Sequence, residues 1–210
     1  MEVDGVKVGA HLTDLRHQRR CRCRRSSRGR CRIIDADKIK QMAASAKADG
    51  AEVVLVALHW GLEYTLSRRP SRSPSPKSWS SRPDIDFIYG HHAHVVQPYD
   101  KVGGTWVVYG LGNAVAQQDT AVEGVYDGNT CRVTFTEKPD GSFKVSLLEY
   151  IPTMITRFDG TSPMRWLNVS RALGDRRYAG LRGLLVATHD RVTEAVNLEN
   201  AFAKHVVEGR

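Results

Sequence analysis

Histidines at the ends of short apolar segments are the residues of this chain best suited to chemistry. Four of the eight histidines occupy such positions, with glycines nearby: His59, His91, His92 and His94. Imidazole is a common ligand of transition metals and transfers protons near neutral pH. The spacing of His92 and His94 directs two rings to the same side of an extended backbone. The cluster therefore predicts a metal or catalytic site, although a single strand-end histidine is more often only hydrogen-bonded.

Two polar residues lie close to these histidines in the sequence. Glu63 follows His59 by four residues and could be a ligand, a carboxylate that orients a metal-bound imidazole, or a solvated charge. Asn113 ends the sequence Gly-Leu-Gly-Asn and could bind an anion or only form a turn. No helix with a third glycine follows, so this stretch is not a dinucleotide-binding fingerprint.

The segments that carry these side chains predict an α/β domain. Three apolar runs are typical of strands covered on both faces, at residues 52–58, 84–89 and 105–109. The alternating segment 5–12 predicts another strand, and a helix begins at Asp35 and ends at Gly50. Because ligands bind beyond the carboxyl ends of strands in α/β sheets, we expect the histidines and Asn113 on one rim.

The second half of the chain predicts an antiparallel extension. Residues 130–136 and 142–148 alternate around a Pro-Asp-Gly turn, which predicts a hairpin. Apolar residues between 190 and 207 have the spacing of an amphipathic helix. We divide the chain into a domain at 1–155 and a C-terminal linker with a helical extension at 156–210.

Two basic low-complexity windows dominate the net charge of +8. Residues 16–32 contribute +9 and residues 66–82 contribute +5, so the rest of the chain carries −6. Neither window can bury enough apolar surface to offset the entropy of ordering it. We therefore expect disordered inserts at 14–32 and 66–82.

Three interpretations of these inserts stay open. Arginine clusters neutralise phosphates, which favours nucleic-acid binding. Cys21, Cys23 and Cys31 could hold zinc, although they lack the paired spacing of a structural zinc site. Arg, Ser, Pro and Cys with abrupt boundaries are also typical of a GC-rich gene translated out of frame, and we favour this frameshift hypothesis.

The length of the apolar runs, the first residues and the number of cysteines argue against several classes of protein. No apolar run approaches the roughly 18 residues of a membrane helix, so we expect no transmembrane segment in this chain. Residues 1–13 lack the features of a secretory signal. Four cysteines are too few for a disulfide scaffold of this length.

Three ordered motifs resemble the CapA-type proteins, a bacterial capsule (poly-γ-glutamate) synthesis family related to calcineurin-like metallophosphatases. Residues 59–63 match the family's His-Trp-Gly-x-Glu motif. Residues 90–95 are similar to Gly-x-His-Pro-His-Val, with Ala93 in place of Pro. Residues 110–115 are similar to Ser-Leu-Gly-Asn-Phe, with Gly110 in place of Ser and Ala114 in place of Phe.

The resemblance implies a fold and a metal site. The fold would be an incomplete four-layer α/β sandwich of metallophosphatase type with the antiparallel hairpin as an extension. His59, His92 and His94 would be metal ligands, His91 with Glu63 would be catalytic, and Asn113 would bind substrate. The metal would be Mn, Zn or Fe, bound weakly because the family's Asp-rich and Asn-His ligand motifs have no counterpart here.

The resemblance also implies a function, which we state as an expectation. The chain would be linked to capsule or poly-γ-glutamate synthesis, acting on a phosphoester or a capsule-polymer-related substrate. We expect little metal-dependent phosphatase activity from the chain as written. Family members are often held at the cell surface, but no anchor is recognised here, so localisation and oligomeric state are left undetermined. The alternatives are a nucleic-acid-binding protein that uses its arginine-rich arms and a non-functional frameshifted product.

Overall fold

The computed structural model describes residues 1–3, 5–14, 34–66, 83–116, 118 and 122–210. Residues 15–33 and 67–82, which include most of the two basic inserts, therefore lie outside the described residues. Two expectations concern those residues: zinc binding by Cys21, Cys23 and Cys31, and disorder of the inserts. No helix in the described ranges is long and apolar enough to cross a membrane.

A six-stranded sheet forms the centre of the fold, in the order β1-β2-β3-β4-β6-β5. Its strands are β1 (Glu2–Val3), β2 (Val6–Asp14), β3 (Val53–His59), β4 (Phe87–His91), β5 (Tyr99–Val102) and β6 (Thr105–Val108). Strands β2, β3, β4 and β6 are parallel, and β1 and β5 pair antiparallel at the two edges. The predicted strands are confirmed, whereas β5 was not anticipated because its sequence is short and polar at two of four positions.

Helix α1 (Ala36–Ala48) covers one face of this sheet. The Asp35 side chain accepts hydrogen bonds from the backbone N–H groups of Asp37 and Lys38, as expected of an N-cap. Alternate strand residues pack under the helix, so that Ile39 and Ala43 lie in one cluster with Val54 and Val56. The opposite face of the sheet belongs to a second cluster.

A second, mostly antiparallel sheet packs against that opposite face. It consists of β7 (Asp127–Glu137), β8 (Phe143–Ile155), β9 (Trp166–Asn168) and β10 (Val206–Glu208). The β7–β8 hairpin is longer than predicted, and its turn is closed by Asp140, whose carboxylate accepts from the backbone N–H of Ser142. The α/β class and the hairpin extension are therefore confirmed.

The C-terminal residues return to this second sheet. Helix α2 (Val169–Leu173) and helix α3 (Arg182–Asn197) pack against β8, and β10 pairs parallel with it. The helix predicted at 190–207 is wrong in its bounds, because it begins earlier and ends at Asn197. There the Asn197 side chain accepts from the backbone N–H of Phe202, and Asn200 adopts φ 55°, so the chain turns away.

Candidate functional site

The parallel register brings the carboxyl ends of three strands into one row. His59 at the end of β3 pairs with His91 at the end of β4. On the other side of β3, Asp14 at the end of β2 is in register with His59. The predicted rim is thus confirmed for the strand-end histidines. The position of Asp14 was missed because it borders a basic insert, and only the strand register reveals it.

The backbone near the end of β4 is closely packed at Gly90. A Cβ added at Gly90 would lie 1.9 Å from the carbonyl oxygen of Tyr109 and 2.2 Å from Nε1 of Trp60. That indole nitrogen donates to the same carbonyl oxygen at 2.8 Å, and the Trp60 and Tyr109 rings stack. Only glycine fits at position 90, because the Trp60 indole and the Tyr109 carbonyl occupy the space that a side chain would need.

Two of the four site histidines adopt positive φ angles, in the left-handed region of the backbone map. The φ angles are 94° at His92 and 59° at His94. Such angles cost a non-glycine residue roughly 1–2 kcal/mol, and they cluster at functional sites where the surrounding structure enforces them. The loop therefore holds these two rings in place at a cost in backbone stability.

The imidazole rings of the site lie close together. The ring centroids of His59 and His92 are 4.5 Å apart, and those of His92 and His94 are 6.4 Å apart. His91 instead meets the ring of Tyr89 edge-on at 5.3 Å. Burial lowers the pKa of His91, so its ring is neutral near pH 7. Its predicted role as proton donor stays a prediction, and this shift opposes it at neutral pH.

Asn113 joins His94 to the loop before β7. Its Oδ1 lies 2.9 Å from Nδ1 of His94, and its Nδ2 donates to the carbonyl oxygen of Val125 at 2.7 Å. The Gln118 amide nitrogen is 3.4 Å from the same histidine nitrogen, and Tyr64 stacks on the ring at 5.9 Å. The predicted substrate-binding role of Asn113 stays a prediction, and the contacts give it a structural role beside His94.

Glu63 lies apart from this cluster of side chains. It is exposed, and no described histidine is within ion-pair distance of its carboxylate. Its backbone carbonyl accepts from the Thr65 hydroxyl at 3.4 Å, which shapes the loop after β3. The predicted catalytic role of Glu63 therefore has no supporting contact among the described residues, and it stays a prediction.

The site-bearing segment matches a known family model. The model for the bacterial capsule synthesis protein PGA_cap matches residues 5–118, more than half of the chain and all six predicted site residues. The chain belongs to the bacterial capsule synthesis protein family.

Two curated relatives agree with this membership. The chain is 37% identical over 68 residues to the PGA biosynthesis protein CapA of Bacillus subtilis (strain 168), covering 32% of this chain and 18% of that protein. It is 36% identical over 76 residues to the capsule biosynthesis protein CapA of Bacillus anthracis, covering 36% of this chain and 18% of that protein. The match thus spans about a fifth of the length of each relative.

One solved structure shows a weaker likeness. The calcineurin-like phosphoesterase YfkN from Bacillus subtilis aligns with 58% of this chain and 37% of its own, at 18% identity and a TM-score of 0.38. A TM-score of this size does not establish a shared fold, so the four-layer metallophosphatase sandwich stays an expectation from the sequence motifs.

The described side chains do not by themselves form a complete metal site. Within the described ranges, no group of three or more His, Cys, Asp or Glu side chains is placed to hold a metal ion. His59 and His92 form a close pair, but His94 is farther away and has its Nδ1 on Asn113. A structural zinc site needs four ligands and a catalytic one three, so this pair supplies only part of a ligand set.

Proposed function

We propose that this chain takes part in the synthesis of a capsule polymer of the poly-γ-glutamate type, and that its histidine rim binds a divalent cation in that role. The observation that carries the proposal is the meeting of His59 and His92, 4.5 Å apart by ring centroids, within the segment that matches the family. Both curated relatives are named as capsule or PGA biosynthesis proteins.

We propose different roles for the three predicted ligands. His59 ends β3 and His92 directly follows the parallel neighbour β4, so their rings can share one cation of the Mn, Zn or Fe type. The ring centroid of His94 lies 6.4 Å from that of His92, farther than the centroid of His59 does. The remaining coordination positions would be filled by groups other than the described side chains.

The substrate class follows from the family and from the cation. We propose a phosphoester or a capsule-polymer intermediate as the substrate, since both carry oxygen anions that divalent cations attract. With two imidazoles in place and no complete ligand set, we expect the purified chain to hydrolyse bis-p-nitrophenyl phosphate slowly or not at all.

A Co²⁺ titration of the full chain tests the cation site without depending on activity. Co²⁺ is chosen because thiolate ligands add charge-transfer absorption that imidazole ligands do not, so binding at the cysteines is recognised separately. We expect one Co²⁺ with nitrogen and oxygen ligands. We also expect His92→Ala and His59→Ala to weaken the affinity at least about tenfold, the loss that even an outer-shell partner can cause.

The matched control is His189→Ala. His189 is a partly buried histidine on α3 whose Nε2 lies 3.1 Å from a carboxylate oxygen of Glu208, far in sequence from the rim. This variant should bind Co²⁺ like the parent chain. Equal affinities in the parent, His59→Ala and His92→Ala chains would contradict the proposed site, as would a spectrum showing thiolate ligands only.

A further inference from the structure

The side-chain amide of Asn113 has an orientation that its neighbours determine. Its nitrogen lies 2.7 Å from the carbonyl oxygen of Val125 and 3.3 Å from that of His94. A carbonyl oxygen can only accept a hydrogen bond, so the amide nitrogen must face both carbonyls. The amide oxygen is therefore the atom that lies 2.9 Å from Nδ1 of His94.

This orientation decides where the proton of the neutral His94 ring lies. An amide oxygen accepts and cannot donate, so Nδ1 must carry the hydrogen for a bond to exist at 2.9 Å. The competing donor, Nε2 of Gln118, is farther from Nδ1 at 3.4 Å and is less favourably placed. Two neighbours thus compete for one nitrogen, and the shorter contact belongs to Asn113.

We propose that Asn113 is a positioning residue that holds His94 in the Nδ1–H tautomer and leaves Nε2 as the ring's only lone-pair nitrogen. Asn113 is 7% exposed, so water does not easily replace its bonds to the ring. The stacked Tyr64 ring and the hydrogen bond from Asn113 to the His94 carbonyl hold the histidine from two further directions.

The chemical use of this tautomer rests on the proposed function. A cation or a proton can reach His94 only through Nε2, so any ligand of this ring must approach from the side away from Asn113. The tautomer itself is a property of the metal-free chain. The tautomer can therefore be measured whether or not the chain binds a cation.

The test is long-range ¹H–¹⁵N NMR of the metal-free full chain labelled in its histidine rings. The spectra are recorded about two pH units above the ordinary pKa of histidine, where the rings are neutral. The His94 signals are assigned by their loss in a His94→Gln variant. We expect the Nδ1–H pattern in the parent chain, and at least about a fivefold shift of the tautomer ratio towards Nε2–H in Asn113→Ala, the factor that one net hydrogen bond supplies.

Two further variants separate positioning from stability. Asn113→Asp keeps an oxygen acceptor for Nδ1–H but cannot donate to Val125, so it should retain the parent tautomer while it lowers the melting temperature. Asn129→Ala removes an equally buried amide, 6% exposed, that bonds the Ile151 N–H and the Tyr99 hydroxyl instead. It should lower the melting temperature and leave the His94 signals unchanged.

The outcomes are decisive even if Asn113→Ala does not fold. An Nε2–H pattern for His94 in the parent chain overturns the proposal without any variant. An Nε2–H pattern in Asn113→Asp, or an unchanged ratio in a folded Asn113→Ala, overturns it as well. If the tautomer stands but Co²⁺ does not bind, the positioning role is retained and the cation site is rejected.

Discussion

The carboxyl rim of the central sheet and the β7–β8 hairpin hold their side chains by different means. In the hairpin, eleven residues of β7 pair with β8 with one irregularity, at Thr134/Phe135, and the positive φ of the turn falls on Gly141. At the rim, positive φ angles fall on His92 and His94, and Gly90, two residues earlier, packs against Trp60 and Tyr109. The comparison shows that the rim places two candidate ligands in strained backbone conformations, whereas the hairpin leaves its positive φ to a glycine.

The largest expected effect comes from breaking the packing at the rim with Gly90→Ala. The new methyl group would overlap the Tyr109 carbonyl and the Trp60 indole, so we expect a loss of about 3 kcal/mol in the free energy of unfolding. Gly180→Ala is the control, because a Cβ there meets nothing within 4 Å. Urea melts that show equal stabilities for the two variants would refute the packing argument.

A somewhat smaller loss should follow from Leu148→Ala in the hairpin. Leu148 is 1% exposed within the cluster between the two sheets, and its removal should cost about 2–3 kcal/mol. The neighbouring Leu147 is 39% exposed and points to the other face of the strand, so Leu147→Ala should change the stability by less than about 1 kcal/mol. Similar midpoints for the two variants would show that β8 is not packed as described.

The difference in backbone strain can be measured by comparing glycine with alanine at matched positions. At His92, with φ 94°, the glycine variant should be more stable than the alanine variant by about 1 kcal/mol, because only alanine keeps the strain. At Thr136 in β7 the order should reverse, with alanine more stable by about 0.5–1 kcal/mol. Alanine ahead of glycine at both positions would mean that the rim is unstrained.

The last prediction concerns the thiol at the interface between the sheets, whose ionisation has the smallest effect near neutral pH. Burial raises the pKa of Cys131 to about 12, from an ordinary value of 9.0. We expect its thiol to react with iodoacetamide at least about tenfold more slowly than glutathione at mildly alkaline pH, by peptide mass spectrometry. Since the unfolded chain loses this proton first, stability should fall as the pH rises from about 9 towards 12. Labelling of Cys131 as fast as glutathione would contradict its burial.

The sequence contains most of the information that locates the strands and the rim. Apolar runs ending in histidine predicted β3 and β4, and Asp35 marked the start of α1. Strand β5 and the end of α3 at Asn197 escaped prediction because they depend on edge pairing and on one side-chain hydrogen bond. Local patterns do not encode such contacts.

The arrangement within the site was less accessible from the sequence than its location. The spacing of His92 and His94 predicted two rings on one side of an extended strand. The backbone there instead has positive φ at both residues, and the ring of His59 lies nearer to His92 than the ring of His94 does. The engagement of Asn113 with Val125 and His94 depends on a loop fold that no short motif specifies.

A crystal of the full chain soaked in zinc, with anomalous diffraction measured on both sides of the zinc edge, tests the central claim most directly. The account predicts a zinc peak at the rim, within about 2.1 Å of one ring nitrogen each of His59 and His92. A rim without a peak, with zinc found only at cysteines or beside His189 and Glu208, would contradict it.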